Sequence, residues 1–114
     1  MLARQHRLRK NSDILRLYKK GRRAHTQHLL GYSLATHLPV SRAVVVISKK
    51  VDKRAVVRNR CRRRVSESLR LELPKLATGF DILITIKTDI REQSAVNLKQ
   101  EISQLITKLG VKGL

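Results

Sequence analysis

The stretch of residues 49–64 constrains this chain more than any other. Nine of its sixteen residues are Lys or Arg, and only Asp52 is acidic. It begins where the β-branched run Val44-Val45-Val46-Ile47 ends, and it continues into a segment of helical periodicity. Between residues 55 and 73, Val57, Cys61, Val65, Ser68 and Leu69 recur on one side, while arginines fill the rest of the cylinder. Arg58 and Arg62 border this stripe on one flank and Arg60 and Arg64 on the other, with Asn59, Arg63 and Arg70 roughly opposite the core. Like charges at i,i+4 spacing disfavour an isolated helix. The stripe must therefore be packed against the rest of the fold, and the charge must be met from outside.

The remaining elements follow from periodicity and turn signals. Asn11-Ser12-Asp13 offers an N-cap, and Ile14, Leu15, Leu17 and Tyr18 predict a first helix of about two turns that stops at Gly21. Residues 28–35 suit a strand in which Gly31 is a weak point or a bulge. Residues 36–41, with Pro39, form a turn. Residues 42–48 predict a second strand, whose apolar run fits the centre of a sheet. Pro74 ends the basic helix, Ala77-Thr78-Gly79 turns the chain, and residues 80–86 are the clearest strand. Val96, Leu98, Ile102, Leu105, Ile106 and Leu109 then trace an amphipathic helix with Gly110 as its stop. Strand, basic helix and strand in succession suggest a split βαβ unit, with helices covering one face of a mixed sheet.

At 114 residues the chain is one domain with a modest core. Its net charge of +18 and pI near 11.5 exceed what solubility requires. The first 70 residues carry 20 basic and 3 acidic side chains, and the rest carry 6 and 5. The binding surface is thus expected in the first two-thirds, with the remainder as scaffold. A solvated surface face is the alternative reading of the basic block, but such faces usually mix signs. Guanidinium groups form bidentate bonds to phosphate and stack on bases, which favours a nucleic acid partner.

One cysteine excludes an internal disulfide and fits a reducing compartment. The longest apolar run, residues 43–47, is too short to span a membrane, and the basic start is not followed by an apolar stretch as a signal peptide requires. An acid-poor, Arg-rich start also fits a mitochondrial presequence, but a cytoplasmic location is the working expectation. Cys61, on the apolar side of the helix, reads as a small core residue. Asn59 could bond RNA or its own backbone. Tyr18 and Tyr32 could pack in the core or stack on bases, whereas Phe80 reads as core.

No catalytic constellation emerges. His6, His25, His28 and His37 lack metal-ligand spacing, the eight carboxylates are dispersed, and Asp81 with Asp89 makes a poor two-metal pair. No phosphate-binding glycine pattern is present. The chain is expected to bind and position, with no catalytic or metal-ligating residue of its own.

Several segments resemble the protein subunit of bacterial ribonuclease P. These are Arg7-Leu8-Arg9-Lys10, then Asp13-Ile14 through Leu17-Tyr18 and Gly21-Arg22. Arg42 followed by Ile47-Ser48-Lys49-Lys50 is similar to a second signature. Residues 55–60 (Ala-Val-Val-Arg-Asn-Arg), with Arg62 and Arg63, look like the family's RNR helix, and Gly79-Phe80-Asp81-Ile82 like the opening of its last strand. The resemblance implies an α+β domain of order α-β-β-β-α-β-α with a mixed sheet and a left-handed βαβ crossover, ribosomal protein S5 domain 2-like. It implies a single RNA-binding domain over residues 1–114, its basic residues 1–10 partly flexible.

It also implies a role as protein subunit of the ribonuclease P ribonucleoprotein. That particle's catalytic RNA removes the 5′ leader of precursor tRNA using Mg²⁺ bound mainly by RNA, and no obligatory protein partner is implied. Carried onto this sequence, Lys49, Lys50, Lys53, Arg54, Arg58, Asn59, Arg60, Arg62 and Arg63 would contact the catalytic RNA. Ile14, Tyr18 and Tyr32 would line a leader-binding cleft between the first helix and the sheet. Ile14 stands where phenylalanine is usual, Arg64 at a place usually apolar and Ser66 at one often basic. The basic ridge is therefore expected to be rotated slightly on its helix. The rival readings are a ribosomal RNA-binding protein and a stand-alone nuclease.

Overall fold

The computed structural model describes residues 2–76 and 79–111. Helix α1 (Asn11–Lys20) leads into strands β1 (Arg22–His25), β2 (Leu29–Ala35) and β3 (Arg42–Ile47). Helix α2 (Ala55–Glu72), strand β4 (Phe80–Ile86) and helix α3 (Ala95–Leu109) complete the order, with short 3-10 turns at Arg4–His6 and Leu73–Lys75. The strands form one mixed sheet in the order β1-β2-β4-β3. β2 pairs antiparallel with both β1 and β4, and β3 runs parallel to β4.

The most continuously apolar strand, β4, has the central place, with neighbours on both sides. The expectation for β3 is corrected. Its apolar run lies at an edge, not the centre, and both its faces are nonetheless covered. Val45 and Ala43 join the core shared with α2 and α3, while Val44 and Val46 pack with the cluster under α1. The N-terminal segment shields part of the β3 edge through an Arg7–Ala43 bridge and a bond from the Leu8 amide to the Ala43 carbonyl at 3.0 Å. β3 and β4 are direct neighbours, so the βαβ unit around α2 is not split.

The helices also do not all cover one face. Alternation along the strands sends Leu29, Ala43, Val45, Ile82, Ile84 and Ile86 to the side covered by α2 and α3. It sends Tyr32, Leu34, Val44, Val46 and Leu83 to the other side, where they meet Leu8, Ile14 and Leu17. The larger core is sealed by the α2 stripe of Cys61, Val65 and Leu69 and by Leu98, Ile102, Leu105, Ile106 and Leu109 of α3. Val96, counted with that stripe in the sequence, is exposed.

Local details have physical causes. Gly31 is no bulge, because the β2 ladder is continuous through it. A Cβ there would lie 2.9 Å from a Leu109 methyl and 3.1 Å from Leu105, so glycine lets α3 approach the sheet. Helix α1 begins at Asn11 after Lys10, without a side-chain cap; Asp13 instead turns to Arg42 at 3.3 Å. Ser94 caps α3, its Oγ accepting from the Asn97 amide at 3.0 Å, and Gly110 closes it at φ 72°. The order α-β-β-β-α-β-α implied by the family resemblance is the one observed, but periodicity did not locate β1, because it is an edge strand with little buried surface and no alternation. Of the turn expected at residues 77–79, Gly79 has φ 81° and the other two lie outside the described residues.

Candidate nucleic-acid interface

The basic block divides into a loop, residues 48–54, and the first half of α2. Lys49, Lys50 and Lys53 are exposed in the loop, and Arg60, Arg62 and Arg63 on the helix. The side chains of Lys49, Lys50, Lys53, Arg60 and Arg63 make no hydrogen bond or ion pair among the described residues. Arg62 donates to the Asn59 side-chain oxygen, which orients both groups on the outer face. Asn59 thus bonds a neighbouring side chain; the backbone contact allowed by the sequence is not its arrangement.

Two arginines behave differently. Arg58 folds back, and its Nη1 donates to the main-chain oxygens of Asp52 at 3.0 Å and Lys53 at 2.8 Å. It is half-buried, so it does not project fully outward with its neighbours. Arg64 donates to the Ile90 carbonyl at 2.9 Å and to the Gln93 carbonyl. Arg64 therefore reaches from α2 to the loop before α3 and satisfies its carbonyls. Arg54 is paired within the loop. Its amide and guanidinium both donate to Asp52, and these bonds hold the Asp52 carboxyl at about 2, below its ordinary value. Cys61 lies in the core, where burial raises its thiol pKa.

The second candidate region is on the opposite face of the sheet. Tyr18 of α1 and Tyr32 of β2 meet edge to face, with ring centroids 5.0 Å apart at 73°. Tyr18 is 46% exposed, and Ile14 and Tyr32 are partly buried in the cluster beneath α1. The three residues are thus gathered on one side of the sheet. Arg42 fastens α1 there, with a two-bond fork to its ladder partner Asp81 at 2.9 and 2.8 Å and a third bond to Asp13.

The match to known proteins now becomes decisive. Residues 2–110 match the family model described as Ribonuclease P. The ribonuclease P protein component of Microcystis aeruginosa is 36% identical over 110 residues, covering 93% of this chain and 92% of that protein. That of Synechococcus elongatus is 39% identical over 112 residues, covering 94% and 92%. The chain belongs to the ribonuclease P protein component family. Solved ribonuclease P proteins share the fold. The Staphylococcus aureus protein superimposes with a TM-score of 0.83 at 21% identity, covering 95% of this chain and 98% of that one. The Thermotoga maritima protein gives 0.80 at 22%, covering 90% and 96%.

Within this chain, the structure also brings forward residues the sequence left unassigned. Arg23 is the ladder partner of Tyr32 and His25 that of Leu30, so both point to the same face as the tyrosine pair. Both are exposed. Their signal was hidden because Arg22-Arg23-Ala24-His25 does not alternate in polarity, and only the register with β2 assigns the face. No group of three or more His, Cys, Asp or Glu among the described residues could hold a metal ion. No helix among them is long and apolar enough to cross a membrane.

Proposed function

We propose that this chain is the protein subunit of a ribonuclease P ribonucleoprotein, and that it holds two RNA segments on opposite sides of one sheet. The 48–54 loop and the outer face of α2 dock the catalytic RNA through Lys49, Lys50, Lys53, Asn59, Arg60, Arg62 and Arg63. Arg54 and Arg58 support that surface and add charge to it. The face carrying Ile14, Tyr18, Tyr32 and Arg23 receives the 5′ leader of precursor tRNA, with the tyrosine rings available to stack on bases. Leader contact supplies binding energy that mature tRNA cannot receive, which favours substrate over product.

The observation that carries this reading is the separation of the two surfaces. α2 covers one face of the sheet and the tyrosine pair lies on the other. One small cationic domain can therefore touch two polyanions without making them compete for a single surface. Hydrolysis is assigned to the RNA subunit together with Mg²⁺ held mainly by RNA. The described residues offer no metal-binding cluster, so no chemical step is given to a metal on this chain. Its own contribution is to neutralise phosphates where the two RNAs approach, which lowers the divalent ion concentration they need. The cytoplasm, where precursor tRNA is processed in a bacterium, is the proposed location.

The test is cleavage of precursor tRNA at low Mg²⁺ by the protein alone, the RNA subunit alone, and both. Cleavage is expected only with both. Cutting by the protein alone would assign the chemistry to this chain and overturn the reading, and no stimulation of the RNA would favour a ribosomal or other structural RNA-binding role.

A further inference from the structure

The loop of residues 87–94 joins β4 to α3 and lies outside the basic block, yet it is fastened to that block. Ile90 is wholly buried in the main core. Arg64 of α2 donates to the carbonyls of Ile90 and Gln93, which pins the loop against the middle of the helix. Arg91 then projects next to the Asp89 carboxylate, its Nε donating at 2.7 Å and its amide at 2.8 Å. From there its guanidinium reaches the Asp52 carboxylate at 3.8 Å.

Asp52 is the one acidic side chain among residues 49–64. Its bonds to Arg54 are contacts within the same loop, which shape it without attaching it to anything else. Attachment comes from two places: Arg58 of α2, through the loop carbonyls, and Arg91, through the Asp52 carboxylate. The carboxylate also sits amid Arg54 and Arg91 and so keeps two cations from repelling each other at the entry to α2. That entry has no side-chain cap and no acidic residue in its first turn.

We propose that Arg91 is a positioning residue for the RNA-docking surface. Acting through Asp52, it holds the 48–54 loop against the start of α2, so that Lys49, Lys50 and Lys53 stand in fixed register with the α2 arginines. This rests on the function proposed above. It makes Asp52, an acid on a surface that binds an acid, favourable for binding.

The proposal gives a sign that simple electrostatics reverses. Removing a negative charge from a cationic surface should tighten RNA binding, whereas losing the attachment should weaken it. The experiment compares Asp52→Asn, Arg91→Gln and their combination in the full chain. The readouts are affinity for a ribonuclease P RNA transcript, melting temperature, and hydrogen exchange of the residue 49–54 amides in the free protein. Asn keeps the shape of Asp and one acceptor oxygen for the Arg54 amide, but it removes the charge and the second acceptor, and with them the link to Arg91.

Each single change is expected to weaken RNA binding about fivefold, the scale of one exposed ion pair. The combination should do no worse than either alone, because both break one linkage. Exchange at residues 49–54 should quicken while the melting temperature holds, since Arg91 is exposed and the core is untouched. Unchanged or tighter binding by Asp52→Asn overturns the proposal. So does a multiplicative loss in the combination, which would mean that Arg91 touches RNA itself. An Arg60→Ala, Arg63→Ala protein serves as the control. If it binds RNA as well as the unaltered chain, the docking surface itself has been misassigned. The exchange measurement then decides separately whether Arg91 orders the loop, and unchanged exchange refutes that.

Discussion

Glu101 shows how a single residue outside both candidate surfaces holds the frame beneath them. Its carboxylate projects from α3 into the β1–β2 turn. There it accepts from the Thr26 hydroxyl at 2.5 Å, the His28 amide at 2.8 Å and His28 Nδ1 at 2.7 Å. Burial opposes the charged form, but the donors from Thr26 and His28 outweigh it and hold the carboxyl below its ordinary value of 4.5. A depressed folded value contributes stability that is fully present above the unfolded value and is lost as pH falls through the folded one. The wild type should therefore lose stability below about pH 4.5 more steeply than Glu101→Gln. At neutral pH that variant should be less stable by about 1–3 kcal/mol, since an amide cannot accept from all three donors. Urea unfolding at pH 7 and pH 4 checks both statements; equal curves at both values would remove Glu101 from this role. The sequence could not reveal this cluster, because its members are separated by more than seventy residues.

Among the elements, α2 does two jobs with neighbouring arginines. Arg63 is exposed and without a partner among the described residues, while Arg64 is committed to the carbonyls of Ile90 and Gln93. Arg64→Ala should lower stability by about 1–3 kcal/mol, the worth of hydrogen bonds from a charged donor. Arg63→Ala should leave the melting temperature within about two degrees, as for an isolated surface change, and weaken RNA binding. The reverse pattern in thermal unfolding and RNA binding would exchange their roles. Periodicity in the sequence located this helix to within a residue and placed Cys61, Val65 and Leu69 correctly on its buried side. It could not divide the arginines into free and engaged ones. That depends on where the 87–94 loop crosses the helix, and the crossing is a tertiary fact.

For the whole molecule, charge and topology combine. Leader binding that neutralises about five phosphates on a single strand predicts a slope of log affinity against log salt of about −3.5. Affinity should then fall roughly a hundredfold between 50 and 200 mM salt. Titrating a labelled leader-bearing precursor tRNA into the assembled ribonucleoprotein, with mature tRNA as reference, measures the difference due to the leader. A slope near zero would leave the electrostatic account without support.

The sequence by itself determined the basic block, the family and most element boundaries. Local periodicity, the glycine stops at Gly21 and Gly110, and net charge are written into neighbouring residues, so they need no tertiary information. Only the tertiary structure decided that β3 lies at an edge, that α1 packs on the face opposite α2, and that Arg23 joins the tyrosine face through β1. These follow from strand order and register, which depend on contacts between residues far apart in the chain. The basic stretch at residues 49–64 announced a polyanion partner at once. How its cations are divided between exposed groups and groups that hold the protein in shape was decided by the loops and carbonyls that the fold brings against it.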